Sequence, residues 1–165
     1  MRVVLFRHGP AGERDPAKWP DDAQRPLTAK GEQRTAAAAA GLRRLRPDVR
    51  HVFTSPLLRA LQTTQIVARV LALHGPVETW EELSGGVPLR EVVARLSQVP
   101  PSSTIVLVGH EPDLGALAAW MVGAHEPFVM KKGGVCRIEV TAMPPAGHGQ
   151  VVWLATPKML RSLAK

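Results

Sequence analysis

The segment Val3-Val4-Leu5-Phe6-Arg7-His8-Gly9 begins with four apolar residues and ends in a charged, glycine-containing turn. A short apolar run of this kind is typical of a strand that is buried on both faces, as in a parallel sheet. Two later segments follow the same order: Val52-Phe53-Thr54 leads into Ser55-Pro56, and Thr104 to Val108 leads into Gly109-His110-Glu111. The sequence therefore predicts buried strands that each lead into polar, chemically active residues.

Predicted helices alternate with these strands. Thr28 can cap an alanine- and arginine-rich helix that ends near Arg46, because Pro47 cannot continue it. Further helices are predicted from Ser55-Pro56 to about Leu73, from Pro88 to the residues before Pro100, from Glu111-Pro112 to about Val122, and from Pro157 onward. A third, weaker strand is predicted at Val77 to Thr79. A closing pair of strands is predicted at Val135 to Val140 and Val151 to Ala155, around a turn at Pro144 to Gly147. This alternation predicts a single α/β domain over residues 1–165, with a mostly parallel central sheet between two layers of helices.

Composition excludes several classes of protein. The chain has 165 residues, 45% of them hydrophobic and 21% charged, as expected of one soluble globular domain. A single cysteine, Cys136, excludes an internal disulfide and a cysteine-based metal site, and it suits the reducing cytoplasm. The longest apolar stretch, residues 114–124, is shorter than the ~20 residues of a membrane-spanning helix. The apolar run at residues 3–6 is too short for the core of a signal peptide, so we expect these residues to be part of the mature fold. No membrane partner is expected.

The charge balance favours anionic ligands. The formal net charge is +7, and arginine accounts for 15 of the 21 basic residues. Guanidinium groups match the geometry of phosphate oxygens, so a phosphorylated partner is expected. Nucleic acid is disfavoured, because the chain has no Tyr and three Phe, and its basic runs are no longer than Lys131-Lys132. Base-stacking surfaces need aromatic side chains among the basic ones.

Three predicted strand ends should meet at one edge of the sheet, because the strands are predicted to be parallel. Ligands of open parallel sheets bind at this edge, beyond the carboxyl ends of the strands. The residues that would meet there are Arg7, His8 and Gly9, then Ser55 with Arg59 in the following helix, and finally His110 with Glu111. Arginines clamp phosphate oxygens, helix N-termini bind anions, and an imidazole can attack phosphorus. Glycine suits a close approach of the backbone to a phosphate. These residues predict a phosphoryl-transfer site.

Other assignments for these residue types carry less weight. A metal held by His8, His110 and a carboxylate is disfavoured, because two neighbouring arginines would repel the cation. We therefore expect neither a metal nor another cofactor. Elsewhere, histidines are interpreted as hydrogen-bonded structural side chains and arginines of the first helix as its solvated face; these residues are His51, His74, His125 and His148, and Arg34, Arg43 and Arg44.

The motifs at these positions resemble the histidine phosphatase superfamily, which includes cofactor-dependent phosphoglycerate mutases and acid phosphatases. The resemblance rests on four blocks in matching order and spacing: Arg7-His8-Gly9; Arg25-Pro26-Leu27-Thr28 with Gly31 and Gln33; Ser55-Pro56-Leu57-Leu58-Arg59-Ala60 with Gln62-Thr63; and Val108-Gly109-His110. The short chain and the block from Gly109 to Leu114 resemble SixA-type phosphohistidine phosphatases in particular. The resemblance implies a phosphoglycerate mutase-like fold without a large cap insertion.

The resemblance also implies roles for individual residues. His8 would be the nucleophile that becomes phosphorylated, while Arg7, Arg59 and His110 would bind the phosphoryl group and stabilise its transition state. Gly9 and Ser55 would complete the substrate-binding set. The chain departs from larger relatives after the first motif, where Pro10-Ala11-Gly12 replaces a Glu-Thr pair and a phosphate-binding Asn. Larger relatives also carry an acidic proton donor after the third strand, for which Glu82 and Glu111 are both candidates.

The expected substrate follows from the missing insertion. Only about thirty residues separate the second helix from the strand at Thr104, and the connection at residues 83–87 is short, so the site should be open and shallow. A phosphohistidine on a protein surface could reach such a site. The expected activity is therefore a cytoplasmic, metal-independent phosphatase acting through a phosphohistidine intermediate on protein phosphohistidine. The alternatives are a small-molecule phosphomonoesterase at the same site and a non-catalytic module that recognises phosphorylated partners.

Overall fold

Six strands form one sheet in the spatial order β3-β2-β4-β1-β5-β6. The computed structural model describes residues 1–45, 47–144 and 149–165. The strands are β1 (Arg2–Arg7), β2 (His51–Thr54), β3 (Val77–Thr79), β4 (Thr104–Gly109), β5 (Val135–Glu139) and β6 (Gln150–Ala155). The predicted helix end near Arg46, the turn residues 145–147 and His148 lie outside the described residues.

The helices that connect these strands are α1 (Ala29–Arg44), α2 (Leu58–Leu71), α3 (Leu89–Leu96), α4 (Asp113–Val122) and α5 (Pro157–Leu163). Two single turns of 3-10 helix, at Asp22–Gln24 and Glu81–Leu83, lie in the loops before α1 and before α3. Thr28 caps α1 as predicted, since its hydroxyl oxygen accepts a hydrogen bond from the backbone N–H of Gly31 at 2.9 Å. None of the described helices combines the length and the apolar character that crossing a bilayer requires.

The sheet is parallel where the sequence predicted the site and antiparallel beyond it. β4 lies between β1 and β2 and is parallel to both, with Arg7 opposite Gly109 and Thr54 opposite Val108. β5 and β6 extend the other side of β1 as an antiparallel pair. The registers place the carboxyl ends of β1, β4 and β2 side by side, which is the arrangement that brings their polar end residues together.

Alternation along β1 divides the core into two layers, because successive side chains of a strand point to opposite faces. Val4 and Phe6 pack with residues of α1, α2 and α5, whereas Val3 and Leu5 pack with residues of α3 and α4. All four side chains are fully buried. The predicted three-layer α/β domain is confirmed.

The start of α2 differs from the prediction. The helix begins at Leu58 rather than at Ser55-Pro56, and its N-cap residue, Leu57, makes no side-chain capping bond. The hydroxyl oxygen of Ser55 accepts a hydrogen bond from the Leu57 backbone N–H at 3.2 Å and also bonds the ring of His110. Ser55 therefore contacts a residue at the end of the neighbouring strand β4 as well as a residue of its own turn.

Candidate active site

His8 follows β1 and is 5% exposed. Its ring nitrogen Nδ1 lies 2.7 Å from the carbonyl oxygen of Gly9, and a carbonyl can only accept a hydrogen bond, so Nδ1 carries the proton. The lone pair is then on Nε2. The backbone N–H of His8 donates to the Gly109 carbonyl at 3.0 Å, which fixes the residue against the end of β4. This is a neutral imidazole held in one tautomer with one nitrogen free to react.

His110 follows β4 and packs against His8, with 5.0 Å between the two ring centroids. Its Nε2 lies 2.8 Å from the Ser55 hydroxyl oxygen, and its side chain is almost as buried as that of His8. The predicted convergence of three strand ends is therefore present: β1 supplies His8, β4 supplies His110, and β2 supplies the serine that orients the second ring.

Both imidazoles are neutral at physiological pH. Burial is the largest cause that lowers the pKa of His8 to about 3, followed by the charge of His110 and then the nearby arginines. Burial also lowers the pKa of His110 to about 4, with Arg59 and Arg7 adding to the effect. A neutral His8 retains the lone pair that a nucleophile needs.

The two predicted arginines flank this pair but are held by different parts of the chain. Arg7 donates through Nη1 to the Met130 carbonyl at 2.6 Å. Arg59, 6% exposed, donates through Nη1 to the Asp22 carbonyl at 2.8 Å, and its Nη2 lies 3.2 Å from the Asp22 carboxylate. The Nε atoms of both arginines are buried with no hydrogen-bond partner among the described residues.

Asp22 is a site residue that the sequence analysis missed. Its carboxylate accepts a hydrogen bond from Arg25 Nε at 2.8 Å in addition to the ion pair with Arg59. The hydrogen bond from Arg25 is the largest cause that lowers the pKa of Asp22. Arg25 also donates to the Gly12 carbonyl at 2.8 Å, which ties together two parts of the loop of residues 9–26. The signal available in the sequence was Arg25 itself, which stands at the head of the second motif.

Gly9 is constrained by packing. A Cβ at this position would collide with the Thr35 hydroxyl of α1, and the Gly9 backbone N–H donates to the Thr63 hydroxyl of α2 at 3.0 Å. The absence of a side chain thus lets two helices approach the turn after β1. Contact between Gly9 and a phosphate stays a prediction.

The two candidate proton donors occupy different environments. Glu82 lines a cavity of about 60 Å³ beside His110, together with apolar residues of α3 and α4, and its Oε1 lies 3.8 Å from Arg95 Nε. Glu111 instead lies against the first turn of α4 and the segment at Met130. Burial is the largest cause that raises the pKa of Glu111, against the opposing effect of Arg7.

Most of the other histidines and arginines set aside from the sequence lie away from this cluster. His51 is half-buried and stacks on Phe53. The other residues of this set that the structure describes are exposed, namely His74 and His125, and Arg34, Arg43 and Arg44. Within the described residues, no three His, Cys, Asp or Glu side chains are grouped as metal ligands would be.

Comparisons with known proteins agree with this geometry. The family model of the histidine phosphatase superfamily, branch 1, matches residues 3–85. An uncharacterised protein of Picosynechococcus sp. is 37% identical over 169 residues, covering 97% of this chain and 99% of that protein. Phosphohistidine phosphatase SixA of Escherichia coli is 27% identical over 163 residues, covering 98% of this chain and 97% of that protein.

Solved structures extend the similarity to the fold. The structure of the protein histidine phosphatase SixA complexed with tungstate matches with a TM-score of 0.85 and 26% identity, covering 96% of this chain and 98% of that chain. The matching residues of the family model include the first strand, its Arg7-His8-Gly9 motif, and Arg59. The chain belongs to the histidine phosphatase superfamily, branch 1.

Proposed function

We propose that this histidine phosphatase hydrolyses phosphohistidine on proteins through a phosphohistidine intermediate at His8. The observation that carries the proposal is the state of the His8 ring: the Gly9 carbonyl holds the proton on Nδ1, and burial keeps Nε2 unprotonated. Two similarities support it, one to a phosphohistidine phosphatase and one to a relative that binds tungstate, a tetrahedral oxyanion like phosphate.

In the first step, the Nε2 lone pair of His8 attacks phosphorus. A nitrogen–phosphorus bond forms on His8 while the bond between phosphorus and the substrate's imidazole nitrogen breaks, and that nitrogen takes up a proton. In the second step, water attacks the same phosphorus, the bond to His8 breaks, and inorganic phosphate leaves with His8 neutral again. Arg7, Arg59 and His110 bind the non-bridging oxygens, where negative charge must be stabilised in both transition states.

We propose Glu82 as the proton donor to the leaving group. A general acid must first lie within reach of the atom that it protonates, and Glu82 lines the cavity next to His110. Glu111 has the raised pKa of an acid catalyst, but its carboxyl group interacts with the backbone at Gly115 and Met130. Phosphohistidine places a small demand on this donor, because an imidazole leaving group is readily protonated.

The short connections around the site support a protein substrate. A single turn of 3-10 helix, Glu81–Leu83, and the glycines that follow it connect β3 to α3. An exposed phosphohistidine could enter beside this connection. The small cavity next to His110, lined by apolar side chains together with Glu82 and Asp113, favours a second candidate, a phosphomonoesterase for small substrates, because its apolar side could contact a leaving group. We also propose that the protein acts in the cytoplasm, where Cys136 would stay reduced.

The test compares kcat/KM on a phosphohistidine-containing protein with kcat/KM on sugar phosphates, nucleotides and phosphoglycerates, all with excess chelator. We expect the phosphohistidine protein to be the best substrate. A small phosphomonoester turned over near 10⁶ M⁻¹s⁻¹, roughly mid-range for a specific enzyme, with slower hydrolysis of phosphohistidine protein would favour the second candidate.

The intermediate has its own readout. Brief incubation with substrate and quenching without acid should leave an acid-labile, alkali-stable phosphate on the peptide that contains His8. The His8→Ala variant should lose both the label and turnover. Binding of phosphorylated protein with no turnover by the wild-type protein would indicate a recognition module instead.

A further inference from the structure

The turn at Lys131–Gly134 is fastened to the backbone of the candidate nucleophile. The Gly134 N–H donates to the Lys131 carbonyl at 2.6 Å, and Gly133 has φ +78°, so Lys132 and Gly133 are the central residues of a tight turn that requires glycine in third place. The Gly133 N–H lies 3.1 Å from the Arg7 carbonyl and 3.0 Å from the His8 carbonyl. The main chain of Lys132 is therefore held directly beside Arg7 and His8.

A second contact, from the Arg7 side chain, holds the segment just before this turn. Arg7 Nη1 donates to the Met130 carbonyl, two residues before Lys132. The turn is thus held by backbone bonds at Gly133 and by a side-chain bond at Met130. Lys132 itself, in contrast, is exposed.

The charges around Lys132 are positive. Burial lowers the pKa of Lys132, and the next causes are the charges of Arg7, Arg25 and Arg59. No carboxylate of the described residues lies within 4.0 Å of its ammonium group.

The carboxylates near the Lys132 ammonium interact with the arginines instead. Asp22 pairs with Arg25 and Arg59, and Glu111 acts on Arg7. The ammonium of Lys132 is left as an uncompensated positive charge among like charges. Such an arrangement destabilises the free protein and is relieved when a dianion binds between the cations.

We propose that Lys132 is a substrate-binding residue that donates a hydrogen bond to a non-bridging oxygen of the phosphoryl group at His8. The proposal rests on the proposed phosphoryl-transfer function and adds a third cation, after Arg7 and Arg59, to its binding set. A lysine ammonium is a compact charge on a flexible stem, so it follows the oxygen from the bound substrate to the transition state. It therefore strengthens binding in both states and acts on KM more than on kcat.

Lys131→Met and Lys132→Met form a matched pair, since each removes one lysine ammonium from the same turn and both residues are exposed overall. With p-nitrophenyl phosphate as substrate and inorganic phosphate as inhibitor, Lys132→Met should raise KM and the phosphate inhibition constant by about tenfold, the usual size of one charge-assisted hydrogen bond at a partly exposed site. Its kcat should stay within about twofold of wild type. Lys131→Met should leave these constants unchanged, and Lys132→Arg should restore most of the phosphate affinity.

Thermal unfolding distinguishes binding from a structural role. Without phosphate, Lys132→Met should have a Tm equal to or above that of the wild type, because it removes repulsion. Its Tm should rise less when inorganic phosphate is added. Unchanged phosphate affinity in Lys132→Met, or an equal loss in both lysine variants, would overturn the proposal. The phosphate-induced Tm shift is measured without turnover, so it tests Lys132 even if the wild type proves inactive on phosphohistidine.

Discussion

Arg59 binds Asp22 through two of its nitrogens: Nη1 donates to the Asp22 carbonyl at 2.8 Å, and Nη2 lies 3.2 Å from the carboxylate. The two residues are 37 positions apart in the chain. The contact joins α2 to the loop that follows β1, and the same carboxylate orients Arg25. One acidic side chain thus aligns Arg59 of the candidate phosphate site and Arg25 of the loop that follows β1.

Asp22→Asn should therefore lower kcat/KM on p-nitrophenyl phosphate by about tenfold, because two guanidinium groups lose a charged partner that orients them. Asp21→Asn is the matched control, since Asp21 is exposed. Among the described residues its Oδ1 accepts only the local bond from the Ala23 N–H, which an amide oxygen can also accept. Steady-state kinetics of both variants measure the difference. Equal activities would show that Asp22 does not position the arginines.

Replacement of Arg59 itself tests the phosphate clamp. Arg59→Ala should cost about 3 kcal/mol of transition-state stabilisation, comparable to the loss of an oxyanion-hole donor. Arg59→Lys should recover only part of this, since a point charge replaces a planar fork. The ratio of kcat/KM values gives the free energy directly. Wild-type turnover in the lysine variant would contradict a forked contact with phosphate.

Acid should destabilise the fold through the two buried imidazoles. Folding lowers the pKa of His8 from 6.5 to about 3 and that of His110 to about 4, so between these values and 6.5 the unfolded chain binds more protons. The free energy of unfolding should fall as the pH decreases from about 6.5, and this loss should level off near the folded-state values. Denaturant titrations from pH 7 to pH 4 measure it.

The contribution of one ring is measured by its removal. His8→Ala should reduce the pH dependence in that range by about one proton, or about 1.4 kcal/mol per pH unit. His74→Ala is a suitable control, because His74 is exposed. An unchanged slope in His8→Ala would mean that folding does not lower the pKa of His8.

The proton donor can be identified from leaving-group dependence. Glu82→Gln should lower kcat most for phosphate esters with poor leaving groups, such as alkyl phosphates. The decrease should be smallest for p-nitrophenyl phosphate, whose leaving group needs no proton, and for phosphohistidine, whose imidazole is readily protonated. Glu111→Gln should lower kcat similarly for all of these substrates. The opposite result would assign the proton donor to Glu111.

Much of the architecture could be predicted from local patterns. Apolar runs such as Val3 to Phe6 and Thr104 to Val108 indicate buried strands, and polar residues at their ends indicate where the site lies, because parallel strands share one carboxyl edge. The placement of His8 and His110 follows from this rule. Element boundaries followed less directly from the sequence: the second helix is predicted to begin at Ser55-Pro56, whereas α2 begins at Leu58 and the Ser55 hydroxyl contacts His110.

The sequence by itself determined the order of strands and helices, the α/β class and the residues of the motifs, since each depends on hydrophobic periodicity and on short-range order along the chain. The tertiary structure alone decided which distant residues support them. The pairing of Arg59 with Asp22, the Thr35 packing that leaves no room for a side chain at Gly9, and the attachment of the Lys132 turn to His8 all join segments far apart in sequence. Such contacts depend on how loops fold at the edge of the sheet, and loop sequences carry no periodic pattern from which the contacts could be predicted. The charged groups of these loops become neighbours only in the folded chain.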